Sequence, residues 1–259
     1  MFAHYPLLKQ LIWRDVASKY RGTALGMLWS LLTPLLMLAI YTFIFSVVFQ
    51  TRWPMAEAQP KGQFALILFL GLMIHALAAE VLLRAPSAIT AQVNYVKKVV
   101  FPLQILPLVP LGSALFGFSL SVLILLAAME VIMGSIPLTA LWLPVVLLPY
   151  VIALMGAAWM LGSLGVFLRD IGQMMGLVVS ILLFLSPIFY PPEALPEAYR
   201  PLLSLNPLTV IITQARAVVL WGELPNFVAL GMYGICASVF AAFGYAWFMK
   251  TRKGFADVL

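Results

Sequence analysis

Apolar residues run almost unbroken from Leu28 to Lys250, and the interruptions are short charged or proline-rich joints. The long stretches, such as Leu66–Leu83 and Leu111–Met133, carry no regular polar alternation. A helix needs about 20 apolar residues to cross ~30 Å of hydrocarbon. Within that layer every backbone N–H and C=O must be satisfied by the protein itself, which leaves helices or closed barrels. Barrel strands alternate apolar and polar residues over about ten positions, so the continuous runs select helices. The pattern predicts an all-α polytopic membrane protein with six transmembrane helices, at 28–50, 63–84, 107–133, 140–167, 172–191 and 225–249. Pro102, Pro107 and Pro110 precede or open the third span and predict a kinked or broken start.

Composition closes off the soluble alternative. Hydrophobic residues make up 64% of the chain and charged residues 9%, whereas a soluble domain carries roughly a quarter charged. The net charge of +6 admits nucleic acid as a partner, but the basic residues are scattered and map better onto membrane orientation. With both termini inside, the inner face carries Lys9, Arg14, Lys19, Arg21, Arg84, Lys97, Lys98, Arg169, Lys250, Arg252 and Lys253. The outer face carries only Arg52, Lys61, Arg200 and Arg216. Short loops rich in Lys and Arg stay cytoplasmic, so both termini are expected inside. No apolar h-region or cleavage site follows MFAHYPLLKQLIWRD, so no removable signal peptide is expected. Cys236 is the only cysteine and implies no intrachain disulfide.

Three segments are neither spans nor simple loops. Residues 4–22 place Leu7, Leu8, Leu11, Ile12 and Val16 at helical spacing, with Lys9, Arg14, Lys19 and Arg21 as a basic complement. This predicts an amphipathic helix lying in the cytoplasmic interface. Residues 85–101 are too polar to cross and too long for a tight turn. They read either as a short helix offering Asn94, Tyr95, Lys97 and Lys98 to a cytoplasmic partner, or as a basic loop that only sets topology. Residues 187–222 hold five prolines between 187 and 201, then a 13-residue apolar run, Leu208–Leu220. Such a run is too short to span and suits a re-entrant segment; a surface loop with an amphipathic helix is the alternative.

The chemistry of catalysis is sparse. There is no G-x-x-x-x-G-K-[ST] phosphate loop, and His4 and His75 are the only histidines. No metal-ligand cluster is evident. Glu80 and Arg84 stand at i, i+4 near the inner end of the second span, where a helix-surface pair forms readily. Glu130 lies near the outer end of the third. Mid-span carboxylates of an ion-coupled carrier are not found. Aromatics are abundant, and Trp53, Trp142, Tyr199 and Trp221 suit interfacial belts. Tyr41 and Phe45 share a face in mid-span one, while Phe184, Phe189 and Tyr190 close span five. Such rings either pack against lipid and neighbouring helices or line a path for sugars, whose C–H faces stack on aromatic faces.

Several motifs in order resemble the transmembrane permease subunits of ABC-2-type polysaccharide exporters, the O-antigen, capsule and teichoic-acid group. They begin with RDVASKYRGTALGMLWSLLTPLLMLAIYTFIFSVVF, Arg14 to Phe49. There follow NYVKKVVFP (Asn94 to Pro102), Arg169-Asp170, SPIFYPPEALP (Ser186 to Pro196), Asn206-Pro207 and the ending GFADVL (Gly254 to Leu259). The resemblance covers nearly the whole chain and is closest to the O-antigen branch. It implies one ABC-2 transmembrane domain over 1–259, forming a homodimer with two copies of a separate ATPase. That partner would hold ATP and Mg, with no cofactor on this chain.

The same resemblance implies roles for the ambiguous segments. Residues 85–101 become a coupling segment, with Arg169 and Asp170 on the same face, and 187–222 become re-entrant helices at the outer mouth. Residues 250–259 form a cytoplasmic tail. Tyr41, Phe45, Phe184, Phe189 and Tyr190 become candidates for an aromatic-lined channel. Arg14, Lys19 and Arg21 would offset the charge of a lipid pyrophosphate at the interface. The expected activity is export of lipid-linked polysaccharide across the bacterial inner membrane. The rivals are a capsule or teichoic-acid permease, an ABC-2 drug or lipid exporter, an ion-coupled carrier and a membrane enzyme for lipid-linked sugars. The last would need acidic or histidine groups that the chain does not supply.

Overall fold

The computed structural model describes residues 4–44, 62–97, 101–192, 196–197, 201, 203 and 206–259. Among these every regular element is helical. Helix α1 (Tyr5–Tyr20) has Pro6 in its first turn, where a missing N–H costs nothing. Arg21 is extended and ends it. The turn into the next helix uses Gly22 and Gly26 at φ +84° and +52°, a region open to glycine without steric penalty. Helix α2 (Trp29–Thr42) follows a 3-10 turn at Gly26–Leu28 and contains Pro34. It passes into a π turn at Phe43 and Ile44. The rest of the expected first span, with Phe45, lies outside the described residues.

Helix α3 (Gln63–Arg84) is buried along most of its length. A helix that is apolar all round belongs inside a bundle, and α3 is flanked by α2 and by α5 to α8, defined below. Two 3-10 turns, Ala85–Ser87 and Thr90–Gln92, lead into the short helix α4 (Val93–Lys97). Helix α5 (Leu108–Met133) starts immediately behind Pro107, with Pro110 in its first turn. The prolines therefore set where α5 begins, and the expected break falls in the preceding turn at Leu103–Ile105.

Helix α6 (Leu143–Phe167) is preceded by a 3-10 turn at Leu138–Trp142. Helix α7 (Ile171–Leu185) stops at extended Ser186, because the residue before a proline is pushed out of the helical region. It ends six residues before the expected boundary at 191. Helix α8 (Pro207–Val219) is capped by Asn206, whose side chain accepts from the Leu208 N–H at 2.9 Å. Helices α9 (Phe227–Thr251) and α10 (Phe255–Val258) complete the chain. Among the described residues, four helical stretches are long and apolar enough to cross a membrane: Gln63–Ser87, Leu103–Met133, Leu138–Phe167 and Phe227–Val258.

Helices α6 and α9 pack backbone to backbone. A Cβ on Gly156 would lie 2.8 Å from the Ala241 Cα, and one on Gly244 would overlap the Gly156 carbonyl. Small residues permit this approach, which lets dispersion bind helices where lipid removes any hydrophobic drive. Ser163 and Thr251 share a 2.7 Å hydrogen bond near the same end. Farther along α6, a Cβ on Gly162 would press on Pro107 at 2.9 Å, and one on Gly165 would overlap the Pro86 backbone. The joint after α3 is thus seated directly on α6.

Candidate substrate cleft and coupling face

A cleft of about 430 Å³ opens between α2, α3 and α5. Tyr41, Trp29 and Met37 line it from α2, Phe69, His75 and Glu80 from α3, and Phe118 from α5. Pro34 sits on the same wall and cannot donate to the Ser30 carbonyl, which loosens α2 at that level. The Tyr20, Ser30, Thr33 and Ser121 side chains add hydroxyls. His75 is committed across the bundle, with its Nε2 3.0 Å from the Val179 carbonyl of α7. Rings, hydroxyls and one carboxylate suit a polyhydroxylated ligand, which stacks its C–H faces and hydrogen-bonds at its rim.

The remaining channel candidates form a separate group. Phe184 and Phe189 lie with centroids 6.3 Å apart and planes tilted by 32°. The Tyr190 hydroxyl donates to the Phe184 carbonyl at 2.9 Å. Phe184 is 69% exposed and borders an open groove with Ser180, Ile181 and Leu185. Leu183, one residue earlier, lines the Tyr41 cleft. Helix α7 therefore stands between the two aromatic groups, and they do not share one cavity.

The basic residues of α1 and of the C-terminal end of α3 are sorted by their partners. Lys19 pairs with Glu80. Glu80 also receives Arg84 Nη1 at 2.9 Å, and Arg84 Nη2 reaches Asp15 at 2.6 Å. This chain of charges clasps α1 to the C-terminal end of α3. Burial pushes the Asp15 carboxyl up, but the Arg84 hydrogen bond, the nearby Ser113 hydroxyl and the charges of Arg84 and Lys19 outweigh it, so its pKa falls below the usual carboxylate value. Arg14 and Arg21 instead line a second cleft, of about 490 Å³, together with Ser18, Arg84 and Gln92.

Helix α4 divides the coupling candidates. Asn94 and Lys97, at i and i+3, are exposed. Tyr95 turns inward, stacks on Phe101 at 4.4 Å with planes 12° apart, and accepts from Arg14 Nη1 at 3.2 Å. Lys98 lies outside the described residues. Arg169 and Asp170 are exposed in the turn between α6 and α7, where the Asp170 carbonyl accepts from Gln173 and Met174, both at 3.0 Å.

Arg216, read from the sequence as an outer-face charge, is 1% exposed. Its guanidinium donates to the carbonyls of Pro187 (2.6 Å), Ile188 (3.0 Å) and Ile67 (3.3 Å). It joins α8 to the proline-rich joint and to α3. Asn206 Nδ2 adds a 2.9 Å bond to Ser186 Oγ across the same joint. The sequence signal for this clasp was a lone arginine in an apolar 13-residue run. Asp15 was likewise missed, and only its place within a basic helix hinted at a partner.

The family model for ABC-2 type transporters matches residues 6–220. An O-antigen export system permease protein, RfbA, of Klebsiella pneumoniae is 26% identical over 256 residues, covering 98% of this chain and 95% of the relative. A second Klebsiella pneumoniae protein of that name is 25% identical over 256 residues. The RfbA of Myxococcus xanthus is 26% identical over 260 residues, covering 99% of this chain and 96% of its own length. With apolar helices long enough to cross a bilayer and a family match over most of its length, the chain belongs to the ABC-2 type transporter family of membrane proteins.

Proposed function

We propose that this chain is the permease subunit of an ATP-driven exporter that moves lipid-linked polysaccharide of the O-antigen type from cytoplasm to periplasm. The observation that carries this reading is similarity along nearly the full length of three O-antigen export permeases. The subunit sits in the inner membrane with six spans, both termini inside and re-entrant helices over 187–222. It works as a homodimer with two copies of a partner ATPase, which binds ATP and Mg and performs the hydrolysis. Asn94 and Lys97 offer the ATPase an exposed polar contact on α4, with Lys98, Arg169 and Asp170 beside it in the proposal.

The lipid pyrophosphate is received in the 490 Å³ cleft lined by Arg14 and Arg21, neither of which forms an ion pair with a carboxylate among the described residues. Lys19, already paired with Glu80, shapes that region by holding α1. The glycan then passes the Tyr41 cleft and Phe45, and Phe184, Phe189 and Tyr190 border its exit. The test is complementation. A strain lacking its own O-antigen permease is given this chain together with its neighbouring ATPase, and surface polysaccharide is measured on gels. Restored long-chain polysaccharide that depends on the ATPase Walker lysine supports the reading. Absence of export with both proteins present in the membrane overturns it. Restoration of capsule or teichoic acid alone would move the assignment to those substrates.

A further inference from the structure

The coupling helix is too small to hold itself. Five residues fall far below the length at which an isolated helix is stable in water, and none of the residues of α4 is buried. Its orientation must come from what lies behind it. Behind it is a compact apolar cluster built from distant parts of the chain, including Leu11, Ile105, Trp159, Phe248 and Phe255. Tyr95 and Val96 of α4 pack onto this cluster, as does the last residue, Leu259. Helix α10 touches α4 and α6 directly.

Phe255 is the centre of that backing. It is 0% exposed, meets Phe248 of α9 edge-on at 5.4 Å and 77°, and meets Phe167 at the end of α6 at 5.8 Å and 56°. The ring therefore touches the ends of the two most closely packed helices among the described residues, while its own helix touches α4. A close-packed interior transmits displacement because it has no slack to absorb it.

We propose that the C-terminal segment 255–259 is the backing that positions α4, with Phe255 as the positioning residue, and that it carries movement of α4 into the α6–α9 pair. The transmission part rests on the coupling reading above; the positioning part does not.

Two measurements separate them. First, a spin label at Asn94→Cys in a Cys236→Ser background reports α4 motion in the full-length permease reconstituted in lipid. Phe255→Ala, or deletion of 255–259, frees the label, Phe255→Leu restores it, and Val258→Ala, at an exposed position, leaves it unchanged. Where Phe255→Ala does not accumulate, Leu259→Ala is the substitute. A label equally immobile in every variant overturns the proposal. Second, export per ATP hydrolysed is measured for the unlabelled permease with its ATPase. Phe255→Ala lowers this ratio roughly 2- to 30-fold while ATPase binding persists, the range seen when coupling networks are cut. A freed label with an unchanged ratio refutes transmission through the tail but leaves the positioning claim standing, whereas the coupling reading of α4 itself fails if Lys97→Glu retains the ATPase. Loss of ATPase binding in step with export refutes transmission, because the tail would then act only on docking.

Discussion

Gly71 of α3 leaves the space that the Arg216 guanidinium occupies. A Cβ at Gly71 would stand 3.1 Å from Arg216 Nη2 and 3.3 Å from Ile188 Cγ2. Without a side chain at that point, the arginine reaches over α3 to the Ile67 carbonyl one turn earlier. The cost of burying a charge is large unless it is hydrogen-bonded, and here three carbonyls accept from the two terminal nitrogens of the guanidinium. Gly71→Ala should force either the ring of contacts or the Ile188 side chain to shift, costing about 1–3 kcal/mol. Arg216→Lys, which keeps the charge but loses the planar fork, should destabilise more than Gly71→Ala. The check is the thermal midpoint of detergent-purified protein followed by size-exclusion fluorescence. Equal midpoints for Arg216→Lys and the parent would contradict the clasp.

The charge chain of α1 and α3 makes a prediction about pH. Asp15 titrates lower in the folded protein than in the unfolded chain. A depressed carboxylate contributes stability that is present above its unfolded pKa of about 3.9 and is lost as pH falls through the folded value. The thermal midpoint should therefore show no Asp15-dependent change between pH 5 and pH 8, and an acid limb should appear only below about pH 4. Asp15→Asn should flatten that limb. An acid limb of the same size in Asp15→Asn would assign it to other carboxylates.

Tyr41 offers both a ring and a hydroxyl to its cleft, and two substitutions separate them. Tyr41→Phe keeps the stacking face, so export should remain within about fivefold of the parent, since one neutral hydrogen bond is worth about 1 kcal/mol. Tyr41→Ala with Phe45→Ala should lower surface polysaccharide markedly at equal protein level. Unchanged export in the double variant would remove these rings from the substrate path and return them to helix packing.

The two faces of α4 should respond differently. Lys97→Glu reverses a charge on the exposed face and should reduce ATPase co-purification. Tyr95→Phe removes only the oxygen that accepts from Arg14, away from the exposed face of α4, and should leave co-purification intact. Retention of the ATPase by Lys97→Glu at physiological salt would count against α4 as its contact.

Helices were legible in the chain because their apolar runs are long and proline and glycine mark their ends. The Glu80–Arg84 pair was legible for the same reason: it is local, at i and i+4. What joined Arg84 to Asp15, 69 residues away, was not, because no periodicity encodes a contact between separate helices. The direction of Tyr95 was equally hidden, since a five-residue helix has no repeat from which to read a face. Arg216 misled for a sharper reason. A lone arginine near a turn looks like a surface charge until the glycine that makes room for it on another helix is known.

The shortness of α7 has a consequence for the lipid around it. Fifteen helical residues extend only ~22 Å, against about 30 Å of hydrocarbon. If α7 crosses as proposed, the bilayer beside it must pinch, or polar groups must dip inward to meet it. Water and headgroups would then approach closest to each other from the two leaflets along the exposed stripe of Met174, Leu177, Ile181 and Phe184. Such a dimple would lower the barrier for anything with a polar head beside Phe184, which borders the proposed exit of the glycan.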